Sequence, residues 1–298
     1  MFLCVCHMTR RSLVPYLLAL PYSLVFILFF LVPLVLVLIV SFWDYTQYSI
    51  IPDFITTNYS DIFGGCVAKL PELCTVFATY LSTFKFVFLT WFFTLIIGFA
   101  VAYFLAFCVT SLPMQIALFL LCTIPFWTSN VIRMISWIPL LGRNGLVNQS
   151  LQSVGLTQEP IEWLLYSGFS VTLAFVHLYT LFMVVPIFNS MLRIDRNVLE
   201  ASYDAGASGW KTLWNVVIPL CKPGIAIGSI FVITIVMGDF ITIGVMGGQQ
   251  IASIGKIIQV EMSYLQFPSA AANAVVLLAL TLLIIIAMSR IVDIRKEL

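Results

Sequence analysis

The chain has 298 residues, of which 61% are hydrophobic and only 9% are charged. A soluble domain carries about 25% charged residues, so no water-soluble fold could cover this many apolar side chains. The net charge of +1 gives no basis for nucleic-acid binding. We therefore predict an all-α membrane protein whose single domain covers residues 1–298, because backbone in the lipid bilayer must satisfy its own hydrogen bonds.

Six apolar runs are long enough to cross a bilayer. The first run is too long for the apolar core of a signal peptide, and no small-residue cleavage site follows it. Polar segments and prolines separate it from the later runs. We predict six transmembrane helices, at about residues 14–42, 84–109, 114–141, 167–189, 225–245 and 271–291.

The distribution of positive charge orients these spans. If they alternate, most arginines and lysines lie on one side, near both termini and between spans 4 and 5. By the positive-inside rule, both termini and this loop are expected in the cytoplasm. Cys66 and Cys74 then lie in an extracytoplasmic loop, where a disulfide could form. Cys4 and Cys6 lack a second pair of ligands, so we predict no metal site.

The loop at residues 193–224 is polar and rich in small side chains. Asp195 is placed to cap a first helix, and Gly206 can supply the left-handed residue that ends it. Ser208 is placed to cap a second helix. We expect that helix to end where Pro219 follows, since proline disfavours a continued helix.

Three charged residues of the first loop helix, Arg196, Glu200 and Asp204, lie four positions apart and so share one face. Two acids in register weaken an isolated helix slightly, and a plain connector has no need of them. A helix that fits a groove on another protein does need such a face.

The segments Glu200-Ala201-Ser202 and Gly206-Ala207, followed by Ile218-Pro219-Leu220, resemble the EAA loop of binding-protein-dependent ABC importer permeases. Ser202 takes the place of the usual second alanine. The resemblance implies a type I importer permease fold whose cytoplasmic coupling helices dock into a cleft on a dimeric ATPase. It assigns this coupling to Arg196, Glu200, Ala201, Ser202, Asp204, Gly206, Ala207 and Pro219.

Two ionisable residues lie deep in the predicted spans, Asp239 in the fifth and Arg133 in the third. An unpaired charge at the bilayer centre costs about 2.5–3.5 kcal/mol on insertion scales. Counted at 1.5 Å per residue from the cytoplasmic ends, their depths are roughly 21 and 29 Å. The depth of Arg133 is reduced by any kink at Pro125, which interrupts the third span. Two interpretations remain open. The residues form a buried ion pair, or Asp239 lines the translocation path and meets a cationic substrate; both hold if the pair opens during transport.

The stretch that precedes Arg133 places Trp127, Thr128 and Asn130 close together in the third span. An aromatic ring beside polar groups suits an organic cation, through cation–π contact. We therefore place these three residues with Asp239 and Arg133 on the predicted substrate path. His177 and Tyr179 in the fourth span are expected to be packing residues.

The sequence PFWTS before Ile132-Arg133, and Gly238-Asp239-Phe240 before Gly247-Gly248, resemble the spermidine/putrescine-type, MetI-like permease subfamily. The resemblance implies a bacterial inner-membrane subunit that moves a polyamine-like solute. It also implies a second permease subunit, an ATP-binding subunit and a periplasmic solute-binding protein as partners. Relatives with these segments carry opines, aminophosphonates or iron complexes. The chain departs from the subfamily after Phe240, where a proline is expected.

Other classes of function lack their signatures. The chain has no phosphate-binding G-x-x-x-x-G-K-[ST] motif, so ATP must bind to a partner. A stand-alone secondary transporter needs an internal repeat or several intramembrane acids. A membrane-embedded enzyme needs a catalytic cluster, and the only histidines are His7 and His177. We predict that the chain is not an enzyme and holds no cofactor.

Overall fold

The computed structural model describes residues 14–46, 49–68 and 75–291. In these ranges its regular secondary structure is helical apart from a small antiparallel hairpin, in which Asp44 lies opposite Ile51. Cys66 and Cys74, between which the sequence allows a disulfide, lie outside the described side chains. The strands are β1 (Asp44–Tyr45) and β2 (Ile50–Ile51), and the helices are α1 (Val14–Phe26), α2 (Val32–Val40), α3 (Thr57–Ala68), α4 (Thr75–Tyr103), α5 (Leu112–Thr123), α6 (Asn130–Ile135), α7 (Ile138–Leu141), α8 (Leu146–Ser153), α9 (Gly168–Leu192), α10 (Arg196–Asp204), α11 (Gly209–Thr212), α12 (Ile218–Gly238), α13 (Ile241–Met246), α14 (Ile254–Ser263) and α15 (Phe267–Ile291).

Five helical stretches of the described residues are long and apolar enough to cross a membrane, and a bent pair makes a sixth. The bent pair, Leu112–Trp127 and Asn130–Ser153, meets at an angle of 92°. The third span is therefore broken by a sharp bend close to Pro125, where the sequence predicts an interruption. Pro125 has no backbone N–H to donate, and Thr128 is extended with ψ of 151°, so the helix ends and restarts there.

A continuous helical run from Gly209 to Gly238 joins the polar loop to the membrane interior. The predicted stop before Pro219 is wrong. A π-helical turn, which is wider than an α-helical turn, lies at Leu213–Val217. It leads directly into α12, in which Pro219 is the second residue. The π-helical turn interrupts the regular i to i−4 hydrogen-bond ladder directly before Pro219, so the run continues through a residue that has no N–H to donate.

The described core lies where α4, α9 and α12 cross, and glycines allow the close approach. A Cβ at Gly228 would lie 2.8 Å from the sulfur of Met183, and one at Gly224 would lie 2.5 Å from the Pro186 carbonyl oxygen. Side chains at these glycines would push the helices apart. The first span lies at the periphery, where α2 packs against α15.

The fifth membrane helix ends at Gly238, not near residue 245 as predicted. Two short helices, α13 and α14, follow it and are tied to neighbouring spans. The Ser170 hydroxyl donates to the Met246 carbonyl at 2.9 Å, and the Ile254 N–H donates to the Thr83 hydroxyl at 3.1 Å. These bonds tie the segment after the chain break at Asp239 to α9 and α4.

Candidate functional site

The carboxylate of Asp239 lies in the break between α12 and α13. Its Oδ1 accepts the backbone N–H of Thr242 at 2.9 Å, which satisfies one of the free donors at the start of α13. Its Oδ2 accepts the Thr242 hydroxyl at 2.6 Å and the Tyr179 hydroxyl. The acid is therefore held in place by donors of its own chain.

Asp239 faces a pocket with a volume of about 240 Å³. Polar groups from three helical segments meet there, and apolar side chains form the remaining walls. A carboxylate with apolar surroundings suits a ligand that carries a positive charge on a hydrocarbon stem. The lining residues are Asn130, Val131, Met134, Tyr179, Ile235, Gly238, Asp239, Phe240, Ile241 and Thr242.

Arg133 is buried, with 8% of its surface exposed, but it does not pair with Asp239. Its guanidinium donates to the Asn130 side-chain oxygen, and its Nε has no hydrogen-bond partner. Among the described residues, the one ion pair within 4 Å joins Arg143 and Glu162, at 3.8 Å. Of the two interpretations left open by the sequence, the Arg133–Asp239 ion pair is absent from this structure, in which the third span bends and donors of the same chain satisfy the acid.

Trp127 and Thr128 lie at the bend, outside the lining of the Asp239 pocket. Trp127 is 85% exposed and lines a separate open groove of about 550 Å³ together with Phe126 and Phe182. The Thr128 hydroxyl donates to the Pro125 carbonyl at 2.7 Å. Of the predicted path residues, the structure thus brings Asn130 and Asp239 into one pocket. Arg133 contacts this pocket through its hydrogen bond to Asn130.

The sequence interpretation missed Tyr179 and Thr242 as site residues. Tyr179 is buried, as expected for a packing residue, but its hydroxyl also contacts Asp239. Thr242 follows Asp239 by three positions, the spacing of a helix cap, and this local signal was available. No local signal indicates Tyr179, which is 60 residues away. His177 accepts the indole N–H of Trp137 at 3.0 Å.

The polar loop forms the second candidate site. Asp195 caps α10 by accepting the Asn197 N–H at 3.0 Å, and Gly206 ends the helix with φ of +80°. Both predicted features are confirmed. The predicted Ser208 cap is also present, with the hydroxyl accepting the Lys211 N–H at 3.4 Å.

The predicted coupling residues form an exposed surface at this loop. The face of α10 that carries Arg196, Glu200 and Asp204 is exposed. The hydroxyls of Ser202 and Thr212 lie 3.0 Å apart and connect α10 to the helix that continues into the membrane. Of the remaining predicted residues, Ala201 and Gly206 are exposed, and Ala207 and Pro219 are partly buried.

Comparisons with curated proteins identify relatives that match up to about two thirds of the chain, although no protein-family model matches it. The spermidine/putrescine transport system permease protein PotB of Escherichia coli (strain K12) is 32% identical over 210 residues, which cover 68% of this chain and 74% of PotB. PotB of Salmonella typhimurium (strain SL1344) is 33% identical over 205 residues, which cover 67% of this chain and 70% of that protein. The inner membrane ABC transporter permease protein YdcU of E. coli is 32% identical over 164 residues, or 51% of each chain.

The solved structures show the same fold. A chain of a bacterial alginate ABC transporter, crystallised with an alginate-bound periplasmic protein, superposes with a TM-score of 0.74 at 16% identity and 94% coverage of both chains. At this identity the likeness supports the fold alone. With the PotB relatives, it confirms the predicted importer-permease fold and a transport role that is not enzymatic. The chain therefore belongs to the family of ABC importer permease subunits that includes the spermidine/putrescine permease PotB.

Proposed function

We propose that this permease subunit passes a small organic cation, polyamine-like in chemistry, into the cytoplasm. The observation that carries the proposal is the Asp239 carboxylate in its pocket of about 240 Å³. Among the described residues, no lysine, arginine or histidine nitrogen lies within 4 Å of this carboxylate. A negative charge in the membrane without a resident cation favours a cationic ligand. The PotB relatives are named for spermidine and putrescine.

The coupling residues are proposed to dock into the ATPase through the exposed face of α10. The helical run Gly209–Gly238 begins beside α10 and ends one residue before Asp239. Its 30 residues span roughly 45 Å at 1.5 Å per residue. Because a helix transmits displacement along its axis, movement of the loop would displace the residues that line the Asp239 pocket.

The proposed assembly contains this chain and three other kinds of protein, in a lipid bilayer. A second, related permease would complete the pathway, a dimeric ATP-binding subunit would bind the polar loop, and a periplasmic solute-binding protein would deliver the ligand. The chain would lie in the bacterial inner membrane as one domain with both termini in the cytoplasm. This orientation rests on the arginines and lysines near the termini and the polar loop.

A second candidate is a zwitterionic solute such as an opine or an aminophosphonate. The specific observation is Arg133, a buried cation whose Nε has no hydrogen-bond partner and which reaches the pocket wall through Asn130. A carboxylate or phosphonate on the solute could pair with this guanidinium while its ammonium meets Asp239.

The test is uptake by the complete transporter in proteoliposomes with its own solute-binding protein. Labelled 1,4-diaminobutane and an opine would be offered separately, and each wild-type rate compared with that of Asp239→Asn. Uptake of the diamine that depends on Asp239 supports the first candidate. Uptake of the opine alone, with loss in Arg133→Gln, supports the second. Transport of the diamine at an unchanged rate in Asp239→Asn contradicts the proposed role of the acid.

A further inference from the structure

Most of the hydrogen-bond capacity of Asp239 is already in use. A carboxylate offers about four acceptor positions, two on each oxygen. Oδ2 accepts two hydroxyls, from Tyr179 and from Thr242 at 2.6 Å, so both of its positions are occupied. Oδ1 accepts the Thr242 N–H at 2.9 Å. One acceptor position, on Oδ1, is left for a ligand.

A single free position discriminates between two kinds of organic cation. A guanidinium binds a carboxylate best in a bidentate arrangement, with one N–H bond to each oxygen. Oδ2 cannot accept such a bond, because both of its acceptor positions are occupied. A primary ammonium is a compact charge with freely rotating donors, and one acceptor is enough for its contact with the acid. The apolar walls, which include Met134, Ile235 and Ile241, can pack against an alkyl stem.

We propose that Tyr179 and Thr242 are specificity-determining residues. They leave Asp239 able to accept only one N–H bond from a ligand, and this favours an alkylammonium over an alkylguanidinium. The proposal rests on the function proposed above and adds a restriction to it. The two hydroxyls act through the acid, and neither needs to touch the ligand. Removing either one returns an acceptor position to Oδ2 and weakens the discrimination.

Two substitutions isolate the effect. Thr242→Val removes the hydroxyl and keeps the backbone N–H bond to Oδ1, and Tyr179→Phe removes the other hydroxyl and keeps the ring. Thr94→Val is the matched control, since Thr94 is a fully buried threonine whose hydroxyl donates to the backbone carbonyls of Thr90 and Trp91. None of these changes alters the charge of the pocket.

The experiment is equilibrium binding of labelled 1,4-diaminobutane to the assembled transporter in the absence of the solute-binding protein, with unlabelled 1,4-diguanidinobutane as competitor. Both probes carry the same stem and charge. In wild type and Thr94→Val, the diguanidine should compete about tenfold less well than unlabelled diamine, the ratio expected for one hydrogen bond. In Thr242→Val and in Tyr179→Phe the ratio should fall to within about threefold.

Three results would overturn the proposal, and they have different meanings. If Asp239→Asn binds the diamine as well as wild type, the proposed function fails and the specificity argument fails with it. If binding depends on Asp239 but the diguanidine competes equally well in wild type, only the specificity argument fails. An unchanged tenfold ratio in folded Tyr179→Phe and Thr242→Val also rejects it.

Discussion

The acidic residues of the Asp239 pocket and of the exposed face of α10 differ in whether they accept hydrogen bonds from their own chain. Asp239 accepts three hydrogen bonds from its own chain. Glu200 and Asp204 on α10 are exposed, and no hydrogen bond or ion pair joins either carboxylate to another described residue. An acid held by its own chain is positioned before a ligand arrives, whereas an acid without partners on a rigid helix is available to another protein. The contrast supports the proposal that one site meets the solute and the other meets the ATPase.

Reversal of charge on α10 should have the largest effect. In Glu200→Lys, a buried interfacial contact with the ATPase would be replaced by a repulsive one, at a cost of about 2–5 kcal/mol. Uptake should fall about thirtyfold or more, while membrane insertion is unchanged. Glu159→Lys, an exposed acid before the fourth span, is the control. The measurements are uptake and co-purification of the ATPase, and normal co-purification in Glu200→Lys would reject the docking role.

Neutralisation of Asp239 should have the next largest effect. Asp239→Asn keeps the size of the side chain but loses a charge-assisted hydrogen bond to a cationic solute, worth about 1.5–3 kcal/mol. Uptake of the diamine should fall about tenfold to a hundredfold at equal protein abundance. Asp53→Asn, an exposed acid in the loop after span 1, should transport normally. A fall in abundance without a fall in uptake per molecule would indicate a structural role instead.

A smaller effect is expected at Gly224, on the helical run that joins the two sites. A Cβ there would meet the Pro186 carbonyl oxygen at 2.5 Å. Gly224→Ala should destabilise the protein by about 1–3 kcal/mol, as overpacking does. Gly209→Ala, where the nearest atom lies at 4.0 Å, should change stability much less. Thermal unfolding of the purified variants measures this difference, and equal melting temperatures would contradict the close helix crossing.

The smallest expected effect concerns Glu261 on α14, a half-buried acid outside the Asp239 pocket. Burial raises the pKa of its carboxyl above the ordinary value of 4.5, although Ser269 and Asn273 donate hydrogen bonds to it. The folded state therefore binds this proton more tightly than the unfolded state. Its contribution to stability is present at low pH and is lost as the pH rises from about 4.5 through the raised pKa.

Glu261→Gln should remove this part of the pH dependence and leave uptake at neutral pH unchanged. The measurement is thermal stability of both proteins from pH 4 to pH 8. An identical pH profile in the two would reject the raised pKa. A loss of uptake would show that Glu261 shares the role proposed for Asp239, and would break the distinction between acids inside and outside the pocket.

The sequence was sufficient for features that depend on local chemistry. Apolar runs predicted the membrane helices, and the capping residues Asp195, Gly206 and Ser208 predicted the limits of the loop helices. Pro219 led to a wrong prediction of the helix end because a π-helical turn interrupts the regular hydrogen-bond ladder directly before it, and the helical run continues through the proline. The Asp239 site could be predicted only in part. The Tyr179 contact depends on how two spans pack, and the bend after Pro125 determines where Arg133 lies.

The most direct test compares solute flux into liposomes that contain this chain alone with flux into liposomes that contain the complete transporter. If the chain is a pathway moved by a partner ATPase through α10, the complete transporter should take up solute only with ATP, and the chain alone should take up none. Sustained uptake by the chain alone would contradict this coupling.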